Sequence, residues 1–247
     1  MIIKSRVKYI QSLGQKKFRD QEAVFIAEGP KTVNELLGSS NIEVVDLYAV
    51  SDWVEQNNIN ADGSTKSRLI EIDESTLARI SQLTTPNLVL GIFRKPQWRA
   101  PQLKNKISLM LEDIQDPGNM GTIVRLADWF GVELIVCSPQ CADAFGPKAI
   151  QSSMGSICRV QILYTDLKKF LPDHAGIPLL AATLDGPTLY QTNVLQEAII
   201  LLGNESRGIS SELMNASSQQ VTIPRKGKAE SLNAAIAAGI ILSWFRR

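Results

Sequence analysis

The second half of the chain carries six short apolar, β-branched runs, at 107–111, 133–137, 160–164, 178–182, 198–202 and 220–223, with helical or loop segments between them. A strand that is apolar along its whole length has no face to give to water, so it must be covered on both sides. Runs of that kind alternating with helices predict an α/β fold built on a parallel sheet. Open sheets of this class hold ligands at the carboxyl ends of their strands. The polar, glycine-rich stretches that follow three of the runs are therefore the candidate site.

The first stretch, Glu112-Asp-Ile-Gln-Asp-Pro-Gly-Asn-Met-Gly-Thr-Ile-Val-Arg125, turns at Pro117-Gly118 and enters a helix. Asn119 is a candidate helix cap, and Gly121 permits close backbone approach. Arg125 falls in the second helical turn among Ile123, Val124, Leu126 and Ala127. A lone arginine is by default a surface or interface salt bridge, but in an otherwise apolar helix a buried one requires a partner, either a phosphate or a carboxylate. The second stretch, Gly203-Asn-Glu-Ser-Arg-Gly208, has the glycine spacing of a phosphate loop but not its chemistry. Ile209 stands where the lysine belongs, and Glu205 repels phosphate. No G-x-G-x-x-G dinucleotide fingerprint occurs anywhere. A carboxylate in a glycine loop suits a cationic or hydroxyl-bearing ligand. The third stretch runs from Ile223-Pro224 through Arg225-Lys226-Gly-Lys228 to Glu230-Ser231-Leu232-Asn233, where Ser231 and Asn233 are candidate caps for a last helix over 231–245. That helix is rich in Ala and Gly, which fits close packing in a monomer core or at a homodimer interface.

The first ninety residues read as a smaller αβ layer. Val7, Ile10 and Leu13 lie on one face of a helix with lysines and arginines around it, and Gly29-Pro30 opens another helix through Leu37. Strand-like runs at 23–27, 44–50, 68–72 and 88–93 alternate with helical stretches at 51–56 and 74–83. The segment 95–105 carries two prolines and little periodicity, so it reads as a linker. The expected organisation is a first domain over 1–95, a linker over 96–106 and a second domain over 107–247.

Composition excludes several classes. Twenty-six basic residues against 25 acidic ones give a net charge of +1, no global signature of nucleic-acid binding. Residues 1–20 are locally basic, with Lys4, Arg6, Lys8, Lys16, Lys17 and Arg19 against Asp20. Three cysteines without a C-x-x-C imply buried thiols in a reducing compartment, and no signal segment or membrane-length apolar run is present, so the expected location is the cytoplasm. One histidine and scattered cysteines offer no metal-ligand spacing, and no G-x-S-x-G elbow marks a serine hydrolase.

Taken together, Asn119-x-Gly121-x-x-x-Arg125, Leu202-Gly-Asn-Glu-Ser-x-Gly208 and Ile223-Pro-x-x-Gly-x-x-x-Ser231-Leu-Asn233 resemble the three motifs of the SpoU (TrmH-type) RNA ribose 2′-O-methyltransferases, of the SPOUT superfamily. The resemblance covers about 107–244. More loosely, Lys4–Leu13 and Phe25-Ile-Ala-Glu-Gly29 are similar to that family's ribosomal-protein-like RNA-binding extension. The resemblance implies a carboxy-terminal domain with a trefoil knot that binds S-adenosylmethionine and works as a homodimer without a metal. It implies an RNA substrate, ribosomal RNA ahead of transfer RNA, methylated at a ribose 2′-hydroxyl. By the same resemblance Arg125, Asn119, Glu205, Ser231 and Asn233 would form the catalytic site, and Thr183, Gly203, Gly208, Ile223 and Leu232 would hold the cofactor. The alternative is an RNA-binding or assembly protein that keeps the fold without the activity.

Overall fold

The computed structural model describes residues 2–57 and 68–247. They divide into two compact units, one holding the chain through Gln97 together with Phe145–Cys158, the other Trp98–Ala144 with Arg159–Arg247.

In the first unit β1 (Val24–Glu28), β2 (Val44–Ala49), β3 (Leu69–Glu71) and β4 (Val89–Arg94) form a sheet in the order β1-β4-β2-β3. β1 is an edge strand, yet all five of its residues are buried. The helix Pro147–Ser153 packs on it, and Phe145 meets Phe25 with ring centroids 5.4 Å apart. An edge covered in this way cannot recruit a foreign strand. The helix Lys4–Ser12 lays Val7 and Ile10 into the core with the following Leu13, as their spacing predicts. Pro30 starts the helix Pro30–Leu37 at its first turn, and Asp73 caps Glu74–Ile80 by accepting from the Thr76 amide at 2.6 Å. Glu28, only 4% exposed, accepts from the Ser81 hydroxyl and from the Gln82 amide at 2.7 Å. Burial pushes its carboxyl above the usual carboxylate range, and those two donors partly offset the shift.

The second unit contains the parallel sheet expected from the apolar runs, in the order β10-β8-β9-β5-β6-β7, with every pairing parallel. Its strands are β5 (Ile107–Leu111), β6 (Leu134–Cys137), β7 (Gln161–Tyr164), β8 (Leu179–Thr188), β9 (Ala198–Leu202) and β10 (Gln219–Thr222). Burial follows position in the sheet. The central β5 and β9 are buried at all five residues, whereas the edges β7 and β10 are half-exposed. One face packs Met110, Val136, Ala181, Ile199 and Leu201 against Leu167, Phe170 and Leu213. All three cysteines are buried.

The chain steps outward from β5 through β6 to β7, then returns to place β9 on the other side of β5. The strand order therefore reverses between β5 and β9, and the loops leaving those two strands diverge there. That is where a doubly wound sheet opens a crevice for a ligand. The last helix, Ala234–Phe245, starts three residues later than the 231 expected from the sequence, because Asn233 is its cap. It packs along the helix Pro117–Trp129 in the same direction. Asn233 meets Asn119, Gly239 faces Leu126, and the Arg246 guanidinium donates to the Phe130 carbonyl. A Cβ on Gly239 would lie 3.4 Å from Leu126, and Ala234, Ala235 and Ala238 are buried, so the small residues serve this helix pair within the chain.

Candidate functional site

Three loops meet at the carboxyl ends of β5, β9 and β10. After β5, Asp116 and not Asn119 caps the helix: its carboxylate accepts from the Asn119 amide at 2.8 Å, with Pro117 at the first helical position. Asn119 sits one turn inside, and this releases its side chain. Its Nδ2 donates to Glu205 Oε1 at 2.8 Å, and its Oδ1 accepts from Asn233 Nδ2 at 2.8 Å. One side-chain amide thus joins all three motifs.

Asn233 is fully committed at its carbonyl end. Its Oδ1 caps the last helix, accepting from the amides of Ala235 at 3.0 Å and Ile236 at 3.3 Å. Ser231 is exposed and two residues before the Asn233 cap, so it is no cap itself. Leu232 is 45% exposed beside it. Arg125 is exposed too, not buried among the apolar residues of its helix. Among the described residues it has no ion-pair partner, so of the two expected partners no carboxylate of the chain fills the role. The turn of the helix places Thr122, Arg125 and Trp129 outward while Ile123, Val124 and Ala127 go to the core. Trp129, one turn beyond Arg125, is 81% exposed.

The Gly203–Gly208 loop is closed on itself. Asn204 and Gly208 exchange backbone hydrogen bonds of 3.0 and 2.9 Å. Gly203 is required there, because a Cβ would lie 2.4 Å from the Gly208 carbonyl carbon. Gly208 has φ +69° and a Cβ there would meet nothing, so its backbone faces open space. Glu205, exposed at the loop tip, is directed to Asn119 rather than to Arg125. Thr183, on β8, and Thr222, at the end of β10, place their hydroxyls 3.4 Å apart, with Ile223 next along the chain. The ten-residue β8 runs past its expected end at 182, through Asp185-Gly186-Pro187.

Several contributors carry no motif signature. Ser138, buried after β6, donates to Asp113 Oδ1 at 2.7 Å and accepts from the Asp113 amide at 3.0 Å. Glu112 accepts from the Ser210 amide at 2.7 Å, tying the exit of the glycine loop to the end of β5. Cys141 lies beneath, donating to the Leu111 carbonyl at 3.3 Å. Hydrogen bonding from Cys137, opposed by burial, brings its thiol down to about 7. Among the described residues no group of three or more His, Cys, Asp or Glu is placed to hold a metal, and no helix is long and apolar enough to cross a membrane.

The arrangement can present backbone donors and acceptors to a flat ligand around Gly203, Gly208 and Ile223. The Glu205 carboxylate ties that loop to Asn119, and about one helix turn and a half beyond Asn119 the Arg125 guanidinium is exposed with no ion-pair partner among the described residues. Comparisons with known proteins agree with the motifs. Residues 106–243 match the SpoU rRNA Methylase family, and residues 4–91 match the MRM3-like substrate binding domain. An uncharacterized tRNA/rRNA methyltransferase of Synechocystis is 32% identical, over 98% of this chain and 90% of that one. The 23S rRNA (guanosine(2553)-2′-O)-methyltransferase RlmP of Bacillus subtilis is 28% identical, over 98% and 96%. The AdoMet-bound rRNA methyltransferase of Sinorhizobium meliloti superposes with a TM-score of 0.84 at 30% identity, covering 100% of this chain and 95% of that one.

Proposed function

The chain belongs to the SpoU rRNA Methylase family, and from that premise we propose that it transfers a methyl group from S-adenosylmethionine to a ribose 2′-hydroxyl of RNA, ribosomal RNA before transfer RNA, in the cytoplasm. The observation that carries this reading is the Asn119 side chain. It bonds Glu205 and Asn233, residues 86 and 114 positions away in sequence, so three segments converge on one point at the strand-order reversal.

The residues present fit the cofactor. Its adenine and ribose need main-chain partners and a shaped slot, and the open backbone at Gly208 supports a reading in which it, Gly203, Thr183, Ile223 and Leu232 would supply them. The Ser210 hydroxyl, buried in that loop without a hydrogen-bond partner, is a further polar atom available to a ligand. When bound, S-adenosylmethionine supplies an already activated methyl group. What remains for the protein is alignment of the 2′-oxygen and handling of its proton. Arg125 is suited to the RNA side of that task. A free guanidinium keeps its proton throughout the ordinary pH range, so it is a poor base but a strong phosphate ligand, and this one is exposed with no ion-pair partner among the described residues. Asn119, Glu205 and Asn233 act as one hydrogen-bonded unit that fixes the loops, and the exposed Ser231 hydroxyl is free to meet the ribose.

RNA would be engaged by the first unit, and the structure narrows which cations serve. Arg19 is 3% exposed and donates to the carbonyls of Leu13 and Gly14, Arg6 is bound to Asp46 and Tyr48, and Lys16 pairs with Asp20. Lys4, Lys8 and Lys17 remain exposed on that face. The trefoil knot belongs to the same proposal. It is supported by the return of the chain beside β5 and by the docking of Ala234–Phe245 along Pro117–Trp129.

A homodimer is also part of the reading. Trp129 at 81%, Ile236 at 56% and Leu232 at 45% exposure are large apolar side chains left open on the paired helices and the turn before them, and Arg125 is exposed one turn before Trp129. Covering an indole of that size removes on the order of 150–250 Å² from water. Trp129→Glu is expected to convert a dimer to a monomer in light scattering and to lower methyl transfer with it. Retention of the dimer mass would show that this face is not the interface. The activity itself is tested with purified protein, labelled S-adenosylmethionine and total RNA from a strain lacking the gene. Label in a 2′-O-methylated nucleotide is the expected result. Cofactor binding without methylation of any RNA would leave a binding protein in place of an enzyme.

A further inference from the structure

Asp113 is one of few non-glycine residues in the left-handed region, at φ +56°, a conformation that aspartate tolerates better than most side chains. Each of its polar atoms is engaged. The amide donates to Ser138 Oγ at 3.0 Å, and Oδ1 accepts from the Ser138 hydroxyl at 2.7 Å. Oδ2 accepts from the Arg207 guanidinium at 3.0 Å, and the backbone carbonyl accepts from Asn204 Nδ2 at 2.8 Å. Asn204 Oδ1 in turn accepts from the amides of Ser206 and Arg207, both at 3.0 Å. Glu205 is thereby held between two residues that are both fastened to Asp113. The Arg207 side chain is 66% exposed, too exposed for the ion pair to add much stability. Its effect is geometric: it fixes the far side of a six-residue loop whose tip must reach Asn119.

We propose that Asp113 is a positioning residue for the methyl-transfer site: anchored on Ser138, it latches Asn204 and Arg207 so that Glu205 stays within hydrogen-bond reach of Asn119. The proposal rests on the functional reading above. Asp113 itself touches none of Asn119, Glu205 or Asn233, so it acts through the loop. The anchor is well placed for this task. β9, β5 and β6 are neighbours in the sheet, and Asn204, Asp113 and Ser138 follow their respective ends. Three strand ends are stitched across the reversal point, and the stitch lies beside the catalytic face without occupying it.

The test is a double-mutant cycle between residues that do not meet. Asp113→Asn keeps the backbone preference and the Ser138 contact but turns a donor toward Arg207, while Arg207→Met removes the other half of the latch from an exposed position. Each is expected to lower kcat by about tenfold with KM for RNA nearly unchanged. In a Glu205→Ala background the same substitutions should change kcat less than about twofold, because the residue they position is gone. Arg207→Lys, which restores the charge, should recover much of the loss. Equal losses in both backgrounds, or no loss in the wild-type background, would overturn the proposal. Hydrogen exchange over residues 203–210 decides it independently of activity. Asp113→Asn and Arg207→Met should both accelerate exchange in that segment. Unchanged exchange would refute the latch even in an active enzyme, whereas accelerated exchange in a protein that methylates no RNA would sustain the latch and reject the functional reading.

Discussion

Arg125→Ala is expected to slow methyl transfer by about 10²–10³-fold while leaving S-adenosylmethionine affinity and thermal stability close to wild type. The expectation of unchanged stability follows from burial. The side chain is exposed and has no ion-pair partner among the described residues, so truncation opens no cavity and strands no charge. The loss of activity follows from the role proposed for it. A guanidinium that grips the phosphate beside the target ribose acts where charge develops, and removing one preorganised donor of that type costs about 10²–10³ in kcat. Arg125→Lys keeps the charge but not the fork, so it should recover only part of the loss. The check is single-turnover methylation alongside calorimetric cofactor titration. If the alanine variant methylates within a few-fold of wild type, Arg125 is a surface cation and the assignment of the reaction to this face fails.

The same arginine shows where sequence reasoning succeeds and where it stops. Motif spacing singled out Arg125, Asn119, Glu205 and Asn233, and the structure brings the last three within hydrogen-bond reach of one another. The reading of Arg125 as a charge needing a partner rests on its apolar neighbours Ile123, Val124, Leu126 and Ala127, which do not by themselves show which side of the helix is covered. Trp129 is the most exposed large apolar residue of the described chain. Apolar composition alone cannot tell a core stripe from a face that awaits a partner. The cap was misplaced for a related reason: Asp116 and Asn119 both have capping side chains, but only Asp116 directly precedes the proline that opens the helix.

The sheet was legible because a doubly covered strand leaves an unbroken apolar run, and 107–111 and 198–202 agree with β5 and β9 at both ends. The far end of β8 was not, since Asp185-Gly186-Pro187 reads as a turn while Thr188 still pairs with Thr222 across an irregular register. Nothing local marks Asp113, Ser138 and Arg207 either. Their contacts span 25 and 94 positions in sequence and exist only once β9, β5 and β6 lie side by side. Likewise the packing of Phe145 and Pro147–Ser153 on β1 has no counterpart in any sequence pattern.

The two glycines that bound the central loop should respond in opposite degrees. At Gly203 an added Cβ would lie 2.4 Å from the Gly208 carbonyl carbon, 2.5 Å from its oxygen and 2.6 Å from the Ile209 nitrogen. All three are backbone atoms, so no side chain can swing aside, and the Asn204–Gly208 pair must open to admit the methyl group. Such overpacking typically costs 1–3 kcal/mol, or roughly 2–4 °C in Tm per kcal/mol at this chain length. The functional loss should be larger than the stability loss, because opening the pair carries Glu205 away from Asn119 and reshapes the backbone that faces the cofactor. Gly203→Ala is therefore expected to weaken S-adenosylmethionine binding by at least about tenfold and to lose most methyl transfer, about 1.4 kcal/mol or more in binding terms. At Gly208 an added Cβ meets nothing, and the penalty is the backbone's alone, about 1–2 kcal/mol for a left-handed residue. Asn, which tolerates that region, should cost less still, so Gly208→Asn is expected to retain cofactor binding within a few-fold. Calorimetric titration of the two variants separates the cases. Equal tolerance of Gly203→Ala and Gly208→Asn would mean that the closed loop is not a wall of the cofactor site.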